Sequence, residues 1–339
     1  MNWDAIDWNA LERLRQGYLA GVAGGADYWR SERDLDSYNQ TFAQRIGWKW
    51  DYVLEELQRR GWTPPKAEVL DWGCGSGVAG RAFIDQFGAD AVTGLRVWDR
   101  SPLAMNFAQR VAKKKFPTLR VEAGLPEAPQ ILLLSHVLTE LTPEQTDELA
   151  KLAAKADVVI WVEPGTYEAS LTLIAVRERL RKETNVVAPC THAEQCGILA
   201  PGNERDWCHH FASPPSAIFT DPDWGKFSHL MGIDLRSLPV SFLVLDKRPQ
   251  PAIPPHCFRV IGRSRVYKAH GLMLGCDASG VRNYELHKRD HPAEFKQLKK
   301  DKCAVLQQWE TEENRITEVI STDAFASGEA AAESETEDG

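Results

Sequence analysis

The chain has 339 residues, 43% apolar and 26% charged, enough to bury one large core and leave material for a second unit. It has no run of about 18 apolar residues, which excludes a membrane-crossing helix. The acidic start MNWDAIDWNALERL is neither a signal peptide nor an Arg/Ser-rich transit peptide, so the expected location is the cytoplasm. The formal net charge of −8 hides an asymmetry: residues 310–339 carry ten acids against one Arg, and residues 258–302 carry eleven Lys and Arg against five acids.

Helical spacing of apolar and aromatic residues in SYNQTFAQRIGWKWDYVLEELQRRGW predicts an N-terminal helical region over 1–64, stopped by Gly61 and the Pro64-Pro65 break. From residue 65 the pattern alternates. KAEVLDWGCGSG reads as a strand and a glycine loop, VAGRAFIDQFG as a helix, AVTGLRVWDRS as a strand ending in Asp99, and PLAMNFAQRVAKKKF as a helix. APQILLLSHVLTEL reads as a strand, and TPEQTDELAKLAAKA as a helix with Thr142 as N-cap and Pro143 first inside it. ADVVIWVEPG and YEASLTLIAVRERLRKE continue as strand and helix, and PVSFLVLDKRP returns to the sheet. This predicts a doubly wound α/β domain over 65–250, interrupted by a cysteine-rich insert at 188–212. Residues 251–305 read as a small basic β appendage with a turn at Asp277–Gly280, and 306–339 as an acidic, disordered tail.

The glycine loop is Asp71-x-Gly73-x-Gly75-x-Gly77 between a strand and a helix. Glycines let the backbone approach a ligand, and the helix start offers free N–H groups. The acid at the end of the next strand, Asp99, is placed to bind ribose hydroxyls. The order GxGxG after an acid differs from the dinucleotide fingerprint and resembles motif I of class I S-adenosylmethionine-dependent methyltransferases. That resemblance implies a Rossmann-like fold with Asp71, Gly73, Gly75, Gly77 and Asp99 at the cofactor and Ser135 and His136 beside the adenine and methyl donor. Cys74 reads as a small buried residue. The stretch after Ser135, SHVLTEL, lacks the Asn/Asp-Pro-Pro-aromatic motif of amino-group methylation, and no residue stands out as a catalytic base.

Cys190, Cys196 and Cys208 place three thiols within 19 residues, separated by turn-forming Gly197, Pro201 and Gly202. Seven cysteines in a chain without a secretory signal favour a metal over disulfides. A tetrahedral zinc or a cubane iron–sulfur cluster needs a fourth ligand: Cys276, in GLMLGCDASG, is the first candidate, with Cys257, His192, His209 and His210 behind it. Spacing leaves zinc and iron–sulfur both open.

The pattern PC…C…WCH downstream of a methyltransferase core, with WVEPGT at 161–166, the helix carrying Arg177 and Arg179, and GLMLGCDASG, resembles the methyltransferase-like assembly factors of the mitochondrial small ribosomal subunit and their bacterial relatives. The resemblance covers roughly residues 35–300. It implies a [4Fe–4S] cluster on Cys190, Cys196, Cys208 and Cys276, S-adenosylmethionine-type binding, and association with small-subunit rRNA during assembly. Arg263, Arg265 and Lys268 near Tyr267 are then candidate RNA contacts, and a monomer on a large RNA particle is expected. The alternatives are an active rRNA methyltransferase and a small-molecule methyltransferase with a structural zinc.

Overall fold

The structure, a computed structural model, describes residues 2–19 and 29–325. The chain divides into two compact units, Met1–Pro251 and Ala252–Gly339. Among the described residues no helix is long and apolar enough to cross a membrane.

The first unit opens with α1 (Trp8–Leu19), α2 (Glu32–Gln40) and α3 (Phe42–Arg59). Ser31 caps α2 by accepting a hydrogen bond from Asp34 N. The alternation follows: β1 (Glu68–Trp72), α4 (Val78–Phe87), β2 (Gly94–Trp98), α5 (Pro102–Lys115), β3 (Val121–Ala123), β4 (Ile131–Ser135), α6 (Pro143–Lys155), β5 (Val158–Pro164), α7 (Tyr167–Leu180) and β6 (Asn185–Ala188). Thr142 caps α6 in a capping box with Gln145, Pro143 being the first helical residue. The insert then runs to β7 (His210–Ala212), α8 (Ala217–Thr220), α9 (Pro222–Met231) and β8 (Leu238–Asp246).

The sheet order is β3-β2-β1-β4-β5-β8-β6, with β7 on β8. β1 to β5 pair in parallel, and β8 runs antiparallel to β5 and β6. A parallel sheet with one reversed strand in that position is the topology of the class I methyltransferase fold. The period-2 geometry of strands sends neighbours to opposite faces. Val69, Leu133, Ile160 and Val162 pack on one side with Trp50, Leu54 and Phe83; Leu70, Leu132, Leu134 and Trp161 pack on the other with Leu149, Ala153 and Leu173. Burial on both faces is why these strands read as continuous apolar runs.

The second unit is a closed five-stranded barrel of β9 (Cys257–Val266), β10 (His270–Asp277), β11 (Gly280–His287), β12 (Leu306–Glu312) and β13 (Arg315–Ser321), in the cyclic order β9-β10-β11-β13-β12, with α10 (Pro292–Lys299) between β11 and β12. The β11–β13 pairing is parallel and the others are antiparallel, which is the arrangement of an OB-type barrel. Phe258, Tyr284 and Trp309 fill it with Met273, Leu286 and Ile316. Gly275 is required there: a Cβ would stand 2.7 Å from the Tyr284 ring.

This corrects the C-terminal expectation. The appendage does not end at 305, because Leu306–Glu312 and Arg315–Ser321 are barrel strands. Their inward residues Leu306, Trp309 and Ile316 are buried, and these few apolar anchors overcome the high acid content around them. Residues 326–339, the remainder of the expected tail, lie outside the described residues.

Candidate functional site

The glycine turn opens on a cavity of about 1020 Å³ at the C-terminal ends of β1, β2 and β4, the edge at which open α/β sheets bind ligands. Gly73, Gly75, Asp99, Ser135 and His136 all line it, so five of the seven sequence-predicted cofactor residues come together. Gly73 has φ +66, and a Cβ there would meet the Val137 side chain at 2.9 Å; Gly75 has φ +49 and space around it. Asp99 shapes the turn by accepting hydrogen bonds from Gly75 N and Ser101 N, each 2.9 Å. These features, open backbone at Gly75 and a carboxylate at the rim, fit a nucleoside-bearing cofactor.

Asp71 and Gly77 have another place. Asp71 is wholly buried beneath the loop, its Oδ2 accepting from Gly80 N at 2.9 Å, so it anchors the start of α4. Burial pushes its carboxyl up to about 7. Gly77 is the left-handed N-cap of α4, and a Cβ there would meet Ala108 Cβ at 2.9 Å. Burial, followed by the charges of Asp71 and Asp99, holds the Cys74 thiol well above its ordinary value, which keeps it protonated and unsuited to nucleophilic attack.

The sequence reading named His136 but missed two buried ionisable residues, Lys49 and Glu163. Lys49 on α3 lines the cavity yet is 2% exposed, and burial brings its ammonium down to about 7, with Arg45 adding repulsion. Glu163 on β5 does not line the cavity itself but supports Val137, which does: its Oε1 accepts from Val137 N (3.0 Å), Leu138 N (3.2 Å) and Trp161 Nε1 (2.7 Å), and burial raises its carboxyl to about 7. His136 has φ +56 and a buried Nε2 without a hydrogen-bond partner; burial, then Lys49 and Arg45, hold it well below its usual range. Trp50 Nε1 donates to Ser135 Oγ at 2.9 Å. A lysine at helical spacing carries no sequence signal of its own; the tertiary fold alone brings it here.

Cys190, Cys196 and Cys208 line one small cavity of about 30 Å³, together with Ser170, Arg177 and Ser241. The insert is tied down by charge. Buried Arg60 pairs with Glu56 at 2.8 Å and donates to the carbonyl oxygens of Val187 (2.8 Å), Pro189 (2.8 Å) and Cys190 (2.9 Å). Arg177 Nε donates to Cys190 Sγ at 3.2 Å and Nη2 to His192 O at 3.0 Å, while Glu178 accepts from Cys196 N at 3.0 Å. Ser170 and Ser241 both donate to Cys208 O, at 2.9 and 2.7 Å. Burial and the neighbouring Cys190 raise the Cys196 thiol to about 11. The thiols share a cavity without closing on one point: among the described residues no group of three or more His, Cys, Asp and Glu side chains is placed to hold a metal ion. Trp207 donates to Gly165 O at 3.1 Å and stacks on His209 at 4.4 Å.

The remaining candidates belong to the barrel. Cys276 is buried on β10, and Cys257 is buried at the start of β9. Arg263 and Arg265 on β9 and Lys268 in the β9–β10 turn are exposed.

No curated protein matches this chain. Among solved structures it is similar to the plantazolicin methyltransferase BpumL in complex with SAH (12% identity, 70% of this chain and 99% of that one, TM-score 0.37). It is similar also to the mitomycin 7-O-methyltransferase MmcR (16%, 56% and 65%, 0.33) and to Trm5b from Pyrococcus abyssi (10%, 58% and 48%, 0.32). A sequence profile of the mitochondrial small ribosomal subunit Rsm22 family matches residues 52–302, from α3 to the end of α10, and the chain belongs to that family.

Proposed function

We propose that this protein is a ribosome-associated, methyltransferase-like protein that binds small-subunit rRNA, supports assembly or translation, and holds S-adenosylmethionine in the cavity beside the glycine turn. The observation that carries the cofactor reading is the convergence of Gly73, Gly75, Asp99, Ser135 and His136 on one cavity of about 1020 Å³. Asp99 would accept ribose hydroxyls, and the backbone at Gly73 and Gly75 would lie against the cofactor. When bound, the cofactor supplies an electrophilic methyl group. Arg263, Arg265 and Lys268 would neutralise RNA phosphates. The reading includes a cytoplasmic monomer.

The thiols extend the proposal. Cys190, Cys196 and Cys208, with Arg177 against the first, offer three donors of the softness that iron–sulfur clusters and zinc prefer. Support for Cys276 as the fourth ligand is its place in the sequence. A [4Fe–4S] cluster is the preferred group and zinc the alternative; either would fix the insert in one arrangement.

The test is metal and sulfide analysis of protein purified without oxygen, calorimetric titration with S-adenosylmethionine, and co-sedimentation with small ribosomal subunits. About four iron and four sulfide per chain, lost in Cys190→Ser and Cys276→Ser, together with saturable cofactor binding and co-sedimentation, support the reading. One zinc per chain moves the metal assignment to zinc. Absence of co-sedimentation removes the ribosomal role.

An active rRNA methyltransferase is the second reading. Lys49, buried at the cavity wall with its ammonium lowered to about 7, can take up a proton at neutral pH as a general base must. A modified nucleotide absent from a deletion strain and restored by wild type, but not by Gly73→Ala, supports it.

A further inference from the structure

The basic block and the described part of the acidic one, residues 310–325, belong to one barrel unit. The cations Arg263, Arg265, Lys268, Lys288 and Arg289 stand exposed on β9, in the β9–β10 turn and just after β11. The acids Glu312, Glu313 and Glu318 stand exposed on the β12–β13 hairpin. The basic side also carries aromatic rings. Tyr267 is 49% exposed and stacks on His270, with centroids 4.9 Å apart and planes 24° apart. His270 in turn stacks on His287, at 6.0 Å and 30°. The register explains the ladder: His270 faces His287 across the β10–β11 pair, so both rings emerge from the same outer face. Tyr267 is brought over them by the turn, in which Tyr267 N donates to His270 O at 2.9 Å. Along that face follow half-buried Leu272 and Leu274 opposite Glu285 and Asn283, and Arg265 reaches Asn283 Oδ1 at 2.8 Å.

We infer that the outer face of β9–β10–β11 is a binding platform for single-stranded RNA, on which an unpaired base stacks against the Tyr267–His270–His287 ladder while the surrounding Lys and Arg hold the phosphates. The inference rests on the rRNA-binding reading and deepens it by naming the face and the kind of RNA. Three observations support it. A barrel of this strand order offers the second and third strands as its oligonucleotide-binding face. A ring with one open face takes a base of any identity, and only an unpaired base can reach it. The acidic β12–β13 hairpin repels a phosphate backbone and so restricts a bound strand to the opposite side.

The experiment is fluorescence anisotropy with the full-length protein, an unstructured labelled oligoribonucleotide of about twelve nucleotides, and a duplex of the same length. The expected result is that Tyr267→Ala and His270→Ala each weaken binding to the single strand by about fivefold or more, that Tyr267→Phe restores it, and that the duplex binds more weakly than the single strand. Lys268→Gln is expected to lower the slope of log K against log salt by about 0.7 while leaving the effect of Tyr267→Ala in place. Melting curves of each variant show whether the barrel is intact, and Tyr267→Phe serves as the folded reference. Wild-type affinity in Tyr267→Ala and His270→Ala, or preference for the duplex, overturns the platform. Co-sedimentation with small subunits separates the two claims. If wild type and Tyr267→Ala co-sediment alike and bind RNA alike, the platform is wrong and the ribosomal reading stands. If wild type binds the single strand through Tyr267 but does not co-sediment, the platform stands and the ribosomal reading falls. Loss of ribosome association in Tyr267→Ala with unchanged RNA affinity points to a protein partner and overturns the RNA assignment.

Discussion

Lys49→Met tests the electrostatics of the cavity wall. Lys49 is 2% exposed, and its ammonium falls from 10.5 to about 7, chiefly through burial. At ~1.4 kcal/mol per pH unit, that difference amounts to about 5 kcal/mol. The unfolded chain keeps the proton up to pH ~10.5, whereas the native protein releases it near 7. Below pH 7 both states carry the charge and the native state bears the whole cost. Between 7 and 10.5 unfolding takes up a proton, so a rising pH reduces the cost until it vanishes. Met keeps most of the side-chain volume and removes the charge. Lys49→Met is therefore expected to stabilise the sheet unit by about 5 kcal/mol at pH 6, and by only about 2 kcal/mol at pH 9. Urea unfolding of both proteins at these two pH values, followed by tryptophan fluorescence, measures the difference. A gain that stays constant with pH, or a loss of stability at pH 6, refutes the argument; the second result would mean that the attraction of Lys49 for Glu163 outweighs its burial.

Three further outcomes follow from the same structure. Glu163, raised from 4.5 to about 7, gives the opposite pH dependence: its cost is absent below 4.5 and complete above 7, so Glu163→Gln is expected to stabilise by about 3 kcal/mol at pH 8 and hardly at all at pH 4.5, checked by the same urea curves. Arg60→Met removes the buried ion pair with Glu56 and the hydrogen bonds to three carbonyl oxygens; a loss of about 3–5 kcal/mol is expected, with faster alkylation of Cys190 measured by mass spectrometry. Gly73→Ala forces a Cβ to 2.9 Å from Val137 at φ +66 and is expected to cost about 1–2 kcal/mol, with weakened S-adenosylmethionine binding by calorimetry.

The α/β core was legible because its strands are buried on both faces and its helices carry cap signals. ILLLS and VVIWV are continuous apolar runs, and Thr142-Pro143 marks the start of a helix as read. The short strands Val121–Ala123 and Asn185–Ala188 were not legible, since three or four residues show no periodicity. The helices at Ala217–Thr220 and Pro222–Met231 also escaped the reading, although Asp221-Pro222 is an N-cap signal that could have found the second. The glycine motif located the cavity, but it did not separate residues that face it from those that build the turn: Asp71 and Gly75 are equally part of the pattern, and only the fold turns one inward and the other outward.

Charge read along the chain misleads most at the C-terminus. Acidic composition over 310–339 suggests a solvated tail when counted as a block, but a strand of a small barrel needs an apolar residue only at its inward positions. Buried Leu306, Trp309 and Ile316 meet that need, and the acids Glu312, Glu313 and Glu318 between and beyond them are exposed. The same alternation puts Arg263 and Arg265 outside on β9, next to the inward Phe258 and Val260. The basic strands and the described acidic strands therefore become two sides of one body, and the boundary drawn at residue 305 falls inside a closed ring of hydrogen-bonded strands. A composition count treats a segment as uniform, whereas a barrel sorts each strand's residues by parity, so the aromatic ladder and its surrounding cations emerge only when the β9–β10–β11 register is known.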